Sequence, residues 1–301
     1  MPKSSATGLV WESRFLDHIL SPDHPEGPQR LRAVEERLVA TGQWQEFQPI
    51  PSLPDPLLYV PAVHTDAHIR GVSRIPISGE VAALACAGAL GAVTAVAAGE
   101  VRNAFCALRP PGHHAHNAGG EEGFCFYNTV AVAARYAQNH LGLKKILIVD
   151  WDFHHGNGTQ DMFYEDPSVY FFSTHRWAAY PGTGDPSLKG RGDGYGFNVN
   201  VDLKRGAEDK DILRAFDHFQ SEAQRFKPDL VLISAGFDSR KDDPLGDFRL
   251  TDPVFGQLTR QVMEIARDAG HDRVVSFLEG GYNPEGLALA TAAHLEALQR
   301  F

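Results

Sequence analysis

The sequence predicts an α/β architecture with a mainly parallel sheet and helices on both faces. Three observations predict it. Short apolar runs recur at 104–108, 145–150, 168–173, 196–201, 229–235 and 273–279. Segments with helical spacing lie between most of them, at 128–140, 208–226 and 252–269, and a last one follows at 284–299. Strands that are apolar throughout, instead of alternating, are those buried on both faces of a parallel sheet.

Each element has its own signal. The segment 28–40 places Leu31, Val34, Leu38 and Val39 at helical spacing, with Pro28 where a helix start tolerates it. Proline-rich loop follows to about Pro61. The uncharged stretch 81–99 is long enough to raise the question of a membrane span. It is mostly Ala and Gly and lacks flanking aromatics, so it reads as a close-packed interior helix. From 104 onward strands and helices alternate, ending in the helix at 284–299. Ligands of open parallel sheets bind beyond the carboxyl ends of the strands. The loops after 104–108, 145–150, 168–173, 229–235 and 273–279 are therefore expected to converge.

The 301 residues contain no low-complexity tract, long charge run or tandem repeat, so one domain is expected over 1–301. A net charge of −10 without a Lys/Arg cluster argues against nucleic acid. It suits a cationic substrate through long-range attraction. Cys86, Cys106 and Cys125 show no CxxC spacing and read as buried free thiols in a reducing compartment. The segment MPKSSATGLVWESRF lacks the apolar core of a signal peptide, which makes the cytoplasm the expected location.

Four clusters carry chemistry. After the run at 145–150 come Asp150, Asp152, His154 and Asn157. Alternation would point Asp150, Asp152 and His154 to one side of an extended chain. Capping and surface polarity are the alternative. After 229–235 comes Asp238. Asp152, His154 and Asp238 form a three-ligand set that leaves one position for water, as in catalytic zinc sites. Arg109-Pro-Pro-Gly-His113-His114 puts tandem histidines on a stiff turn, suited to a general base and an electrostatic partner. A loop pair without a chemical role fits that segment equally. Glu279-Gly-Gly-Tyr282 presents a hydroxyl that suits a developing oxyanion, though a GGY turn alone also serves structure.

Taken together, RPPGHHA, GFCFYN, DWDFHHGNGTQ, PGTGD, AGFDS and EGGYN resemble, in order, the motifs of the histone deacetylase superfamily, class II and bacterial deacetylase-like members. A weaker likeness extends to HPEGPQRL. The resemblance implies the arginase–deacetylase fold, a three-layer α/β/α domain around a mainly parallel sheet of about eight strands. It implies zinc on Asp152, His154 and Asp238. It implies His113 and His114 as the paired histidines, Asp150 supporting His113 and Asn157 supporting His114. Class I enzymes carry Asp at that last position, so Asn157 points to class II. Tyr282 would polarise the carbonyl. Phe124 and Tyr180 would line an acyl-lysine tunnel, with Gly123 and Gly281 presenting backbone beside it. Arg30 matches an arginine near a product-release channel. Potassium would lie beside the zinc, held by backbone carbonyls of Asp150, Asp152, His154, Ser173 and Thr174.

The implied activity is a metal-dependent amidohydrolase acting on an acylated amine. The expected partners are acyl-lysine or another small amide, not nucleic acid or membrane, and self-association is compatible with the sequence. Leu245 stands seven residues past Asp238, where a eukaryotic polyamine deacetylase of the family carries glutamate. Its apolar side chain favours acyl-lysine; acetylpolyamine amidohydrolase is the alternative. A family loop beyond His64-Thr-Asp66-Ala-His68 that carries a substrate-clamping acid is short here, and no counterpart of that acid is evident. The compact HRWAAYPGTG loop suggests an open pocket mouth. A binuclear ureohydrolase would need further carboxylates where Gly156 and Arg240 stand. A non-catalytic acyl-amine binding module is the alternative outside enzymes.

Overall fold

The computed structural model describes residues 6–301. The strands are β1 (Thr7–Val10), β2 (Gln48–Pro49), β3 (Asn103–Cys106), β4 (Ile146–Asp150), β5 (Val169–His175), β6 (Asn198–Asp202), β7 (Leu230–Ala235) and β8 (Val274–Leu278). They form one eight-stranded sheet in the order β2-β1-β3-β8-β7-β4-β5-β6. Every pairing in it is parallel. The helices are α1 (Gln29–Ala40), α2 (Asp66–Val72), α3 (Ser78–Ala98), α4 (Thr129–Leu141), α5 (Asn157–Phe163), α6 (Asp209–Phe226), α7 (Asp252–Asp268) and α8 (Pro284–Arg300). A row of α1, α8, α7 and α6 covers one face, and α3, α4 and α5 cover the other. The predicted three-layer α/β/α fold is borne out.

Covering on both faces explains the composition of the central strands. ILIVD in β4, LVLISA in β7 and VVSFL in β8 are buried at every residue. Polarity enters these strands chiefly near their carboxyl ends, at Asp150 and Ser234, which are register partners across β4 and β7. The expected interior helix is α3. It is long and apolar enough to cross a membrane by length and composition, but most of it is buried against α4, β1 and β3.

Several elements differ from expectation. β2 falls in the stretch expected to be loop and β1 where no element is predicted, because they span only two and four residues. Short α2 and α5 were likewise not anticipated. In α1 the buried stripe is Leu31, Val34 and Leu38, whereas Val39 is exposed. One residue past Leu38, Val39 is turned about 100° away from that stripe, toward solvent. Cys86, Cys106 and Cys125 are buried free thiols, as expected.

Candidate active site

In the order β3-β8-β7-β4-β5, the carboxyl ends of five strands lie side by side. Their loops deliver His113 and His114, Tyr282, Asp238, the 150–157 segment, and Tyr180. Donor atoms of Asp152, His154 and Asp238 lie within 4.8 Å of one another, all buried. His154 Nδ1 is 2.9 Å from Asp238 Oδ2 and 3.2 Å from Asp152 Oδ1. Tetrahedral ligands on ~2.0 Å bonds are ~3.3 Å apart, so these separations suit a common ion.

The carboxylates are held by backbone. Asp152 Oδ1 accepts from His154 N at 2.8 Å and Oδ2 from Gly280 N at 2.9 Å. Asp238 Oδ1 accepts from Phe153 N at 2.8 Å. Asp150 Oδ1 likewise accepts from Asp152 N at 3.0 Å. These links form successive turns, which corrects the expectation of an extended chain with Asp150, Asp152 and His154 on one side. β4 ends at Asp150, whose side chain turns to His113. Burial would keep His154 neutral, but Asp152 and Asp238 hold its pKa up to about 10. Burial and the charge of Asp152 push Asp238 up to about 7. Such a cluster calls for a cation, and the donor set suits zinc.

The paired histidines have opposite electrostatics. Burial opposes a charge on His113, but Asp150, Asp152 and Glu279 overcome it and hold its pKa well above the usual range. His113 Nδ1 lies 2.9 Å from Asp150 Oδ2. Burial, joined by the neighbouring His113, drives His114 well below the usual range. His114 Nδ1 lies 2.8 Å from Asn157 Oδ1. Glu279 supports this loop from beneath: its Oε2 accepts from Gly112 N at 2.7 Å and its Oε1 from Ser234 Oγ at 3.0 Å.

A cavity of about 440 Å³ opens onto these groups, lined by His114, Glu121, Gly123, Phe124, His154, Ala179, Tyr180, Leu245 and Tyr282. Tyr180 stands edge-on to the His114 ring at 5.2 Å, and Phe124 edge-on to Tyr282 at 6.0 Å. Gly123 and Phe124 both have positive φ, 55° and 69°, between Glu122 and Cys125, whose backbones bond reciprocally. Glycine is needed at 123, since a Cβ there would lie 2.4 Å from His114 Cδ2. Phe124 is held in its strained conformation by Glu121 Oε1, which accepts from Phe124 N at 3.0 Å. Tyr180 is 47 % exposed and Trp177 40 %, so the mouth is open. A larger hollow of about 530 Å³ between the end of β6 and the start of α6 gathers no comparable donor set.

Burial, then the charge of Asp238, raises the Tyr282 phenol well above its ordinary range, so it remains a donor. Arg30 is fully buried, donates from Nε to Gly281 O at 2.6 Å, and lies 5.1 Å from the Tyr282 ring centroid. Asp243, not singled out from the sequence, accepts from Tyr282 N at 2.7 Å. Glu121 was also missed; its only sequence signal is an acidic pair beside GFCFYN. Ser173 and Thr174 are buried at the end of β5, where Ser173 registers with Asp150. Arg240, at a position where a second-metal carboxylate would be needed, turns to Asp252 at 2.6 Å.

A parallel α/β/α sheet with a buried Asp–His–Asp cluster at its carboxyl rim defines an arginase–deacetylase type of protein. Residues 24–298 match the histone deacetylase domain. The chain belongs to that family. It is 38% identical to "Histone deacetylase 5" of Arabidopsis thaliana over 97% of this chain and 48% of that protein. It is 36% identical to a "Probable deacetylase" of Archaeoglobus fulgidus over 93% of this chain and 82% of that one. The crystal structure of the HDA15 HD domain superposes with a TM-score of 0.92 at 35% identity, covering 98% of this chain and 88% of that one. The chain spans about half the length, or less, of several curated relatives it matches.

Proposed function

We propose that the protein is a zinc-dependent amidohydrolase that removes an acyl group from an acylated amine, with acyl-lysine or a similar small amide as substrate. The observation that carries this reading is the convergence of Asp152, His154 and Asp238 at the base of a cavity also lined by His114 and Tyr282. Family membership supports deacetylase chemistry, and the family is generally zinc-dependent. Bound zinc would polarise the amide carbonyl and lower the pKa of water.

The chain's own groups then have defined tasks. His114, low in pKa, takes a proton at Nε2 from the attacking water and returns it to the leaving nitrogen. His113, paired to Asp150, stays cationic and stabilises developing negative charge. Tyr282 donates its hydroxyl to the oxyanion. Phe124 and Tyr180 sandwich the acyl-bearing chain, and Gly123 and Gly281 let backbone approach it. Potassium is proposed at the carbonyls of Asp150, Asp152, His154, Ser173 and Thr174.

Glu121 on the cavity wall favours a second reading, an acetylated polyamine, because a carboxylate at the rim suits a cationic amine. A substrate panel decides. Chelated and zinc-reloaded protein is offered acetyl-lysine peptide, trifluoroacetyl-lysine, longer acyl-lysines and acetylated putrescine, compared by kcat/KM. Zinc-dependent release of acylate from a lysine substrate is expected. Failure of the reloaded protein on every amide would overturn the reading.

A further inference from the structure

The support of His114 does not end at Asn157. The amide presents Oδ1 to His114 Nδ1 at 2.8 Å. Its Nδ2 faces the other way, 2.8 Å from Glu122 Oε1 and 2.9 Å from His116 Nε2. Behind it, His116 Nδ1 pairs with Asp161 Oδ2 at 3.1 Å. An asparagine can present either edge to a neighbour, whereas an ionised carboxylate only accepts. Glu122 therefore selects the edge: NH₂ outward, Oδ1 inward. In its neutral form, with the Nδ1 proton toward Asp161, His116 offers Nε2 to the second amide hydrogen; protonated, which Asp161 and Glu122 favour, it faces Glu122 Oε2 at 3.4 Å instead and braces that carboxylate. In either case the Nδ2 group of Asn157 is turned to Glu122 and away from His114.

The consequence falls on His114. Facing an acceptor, it must carry its proton on Nδ1, which leaves the Nε2 lone pair free for the task of a base. The reversed amide would set Oδ1 against Glu122 and NH₂ against His114 Nδ1. His114 would then be protonated on Nε2 and unable to accept a proton there. A carboxylate at 157 would need no such guidance, since both its oxygens accept. Asparagine does need it. Glu122 is itself held in place by its reciprocal backbone bonds with Cys125.

We propose that Glu122, backed by the His116–Asp161 pair, is a positioning group that sets the tautomer of His114 by fixing the orientation of the Asn157 amide. The proposal rests on the reading of His114 as the base. Side chains of His116, Glu122 and Asp161 are 28%, 37% and 57% exposed, so substitutions there leave the core intact.

The test uses the zinc-loaded full chain and an acetyl-lysine peptide. Glu122→Leu is expected to lower kcat roughly five- to tenfold, the effect of one hydrogen bond, with KM nearly unchanged. Glu122→Gln, whose Oε1 still accepts, is expected to keep most of the rate. In an Asn157→Asp background the sign should reverse: Glu122→Leu raises kcat, because it removes a carboxylate facing another. A purely structural role would lower kcat in both backgrounds. Independently of turnover, ¹⁵N NMR of His114 should show Nδ1 protonated in the parent and a mixture of tautomers in Glu122→Leu. An unchanged tautomer and an equal loss in both backgrounds would overturn the proposal. An inactive parent that nevertheless shows the tautomer shift would instead count against the amidohydrolase reading alone.

Discussion

Gly280 abuts Asp238 so closely that a Cβ on residue 280 would lie 2.2 Å from Asp238 Oδ2. Gly236 stands in the same relation to Asp152, where a Cβ would lie 2.0 Å from Oδ2. Both contacts are with carboxylates of the candidate metal site, and neither can be relieved without turning the carboxylate. Gly280→Ala should therefore fold and lose metal affinity at least tenfold, as when the outer partners of metal ligands are altered. Zinc titration followed by calorimetry, with circular dichroism as the folding control, measures this. Parent affinity in Gly280→Ala would contradict it.

Tyr282→Phe removes one hydroxyl from the cavity and no contact from the core. Its hydroxyl is kept protonated by burial and by Asp238. If it serves the oxyanion, kcat should fall by about a hundredfold, with zinc content and melting temperature unchanged. Metal analysis and steady-state kinetics on the same preparation separate this outcome from a loss of metal.

The fold was legible where burial acts on whole strands. β4, β7 and β8 are covered on both faces, so they had to be largely apolar, and Asp150 and Ser234 near the carboxyl ends of β4 and β7 marked the rim. β1 and β2 are too short to show a period. Helix α5 begins at Asn157-Gly158, poor helix formers placed there by the site and not by propensity. Residues that meet at the cavity stood out as motifs at strand ends. Partners such as Glu122 and Asp243 did not, because their bonds to Asn157 and Tyr282 span 35 and 39 residues. No local pattern records such pairings.

Arg109 opens the RPPGHH motif yet makes no contact with the cavity. Its guanidinium meets Glu26 twice, at 2.6 and 2.9 Å, and donates to Phe15 O and His18 O at 2.8 Å each. Both side chains are fully buried. Glu26 is shared with Arg30, 3.1 Å away and equally buried, so removing Arg109 breaks one of the two pairs of a buried triad, at a cost of about 3–5 kcal/mol. Arg109→Ala should lower stability by about that amount in urea unfolding. Arg109→Met with Glu26→Gln should recover little of it, since Arg30, buried and 3.1 Å from Glu26, then loses its carboxylate.

Acid should unfold the protein through histidines far from the metal site. His64 Nε2 accepts from Asn128 N at 2.9 Å while Nδ1 donates to His116 O at 2.9 Å. That arrangement uses the neutral ring, and burial lowers its pKa to about 3. His294, enclosed between Thr259 Oγ1 at 2.6 Å and Ser276 Oγ at 2.9 Å, is likewise lowered by burial to about 3. Because the folded pKa lies below the unfolded value near 6.5, the unfolded chain binds more protons between the two. Stability is thus fully present above pH ~6.5 and lost as pH falls toward 3, at about 1.4 kcal/mol per pH unit for each histidine. His294→Gln should cost stability at pH 8, yet flatten the decline between pH 6 and 4 by one proton. Urea midpoints across that range test it; a slope identical to the parent's would mean that His294 is not among the groups that drive acid unfolding.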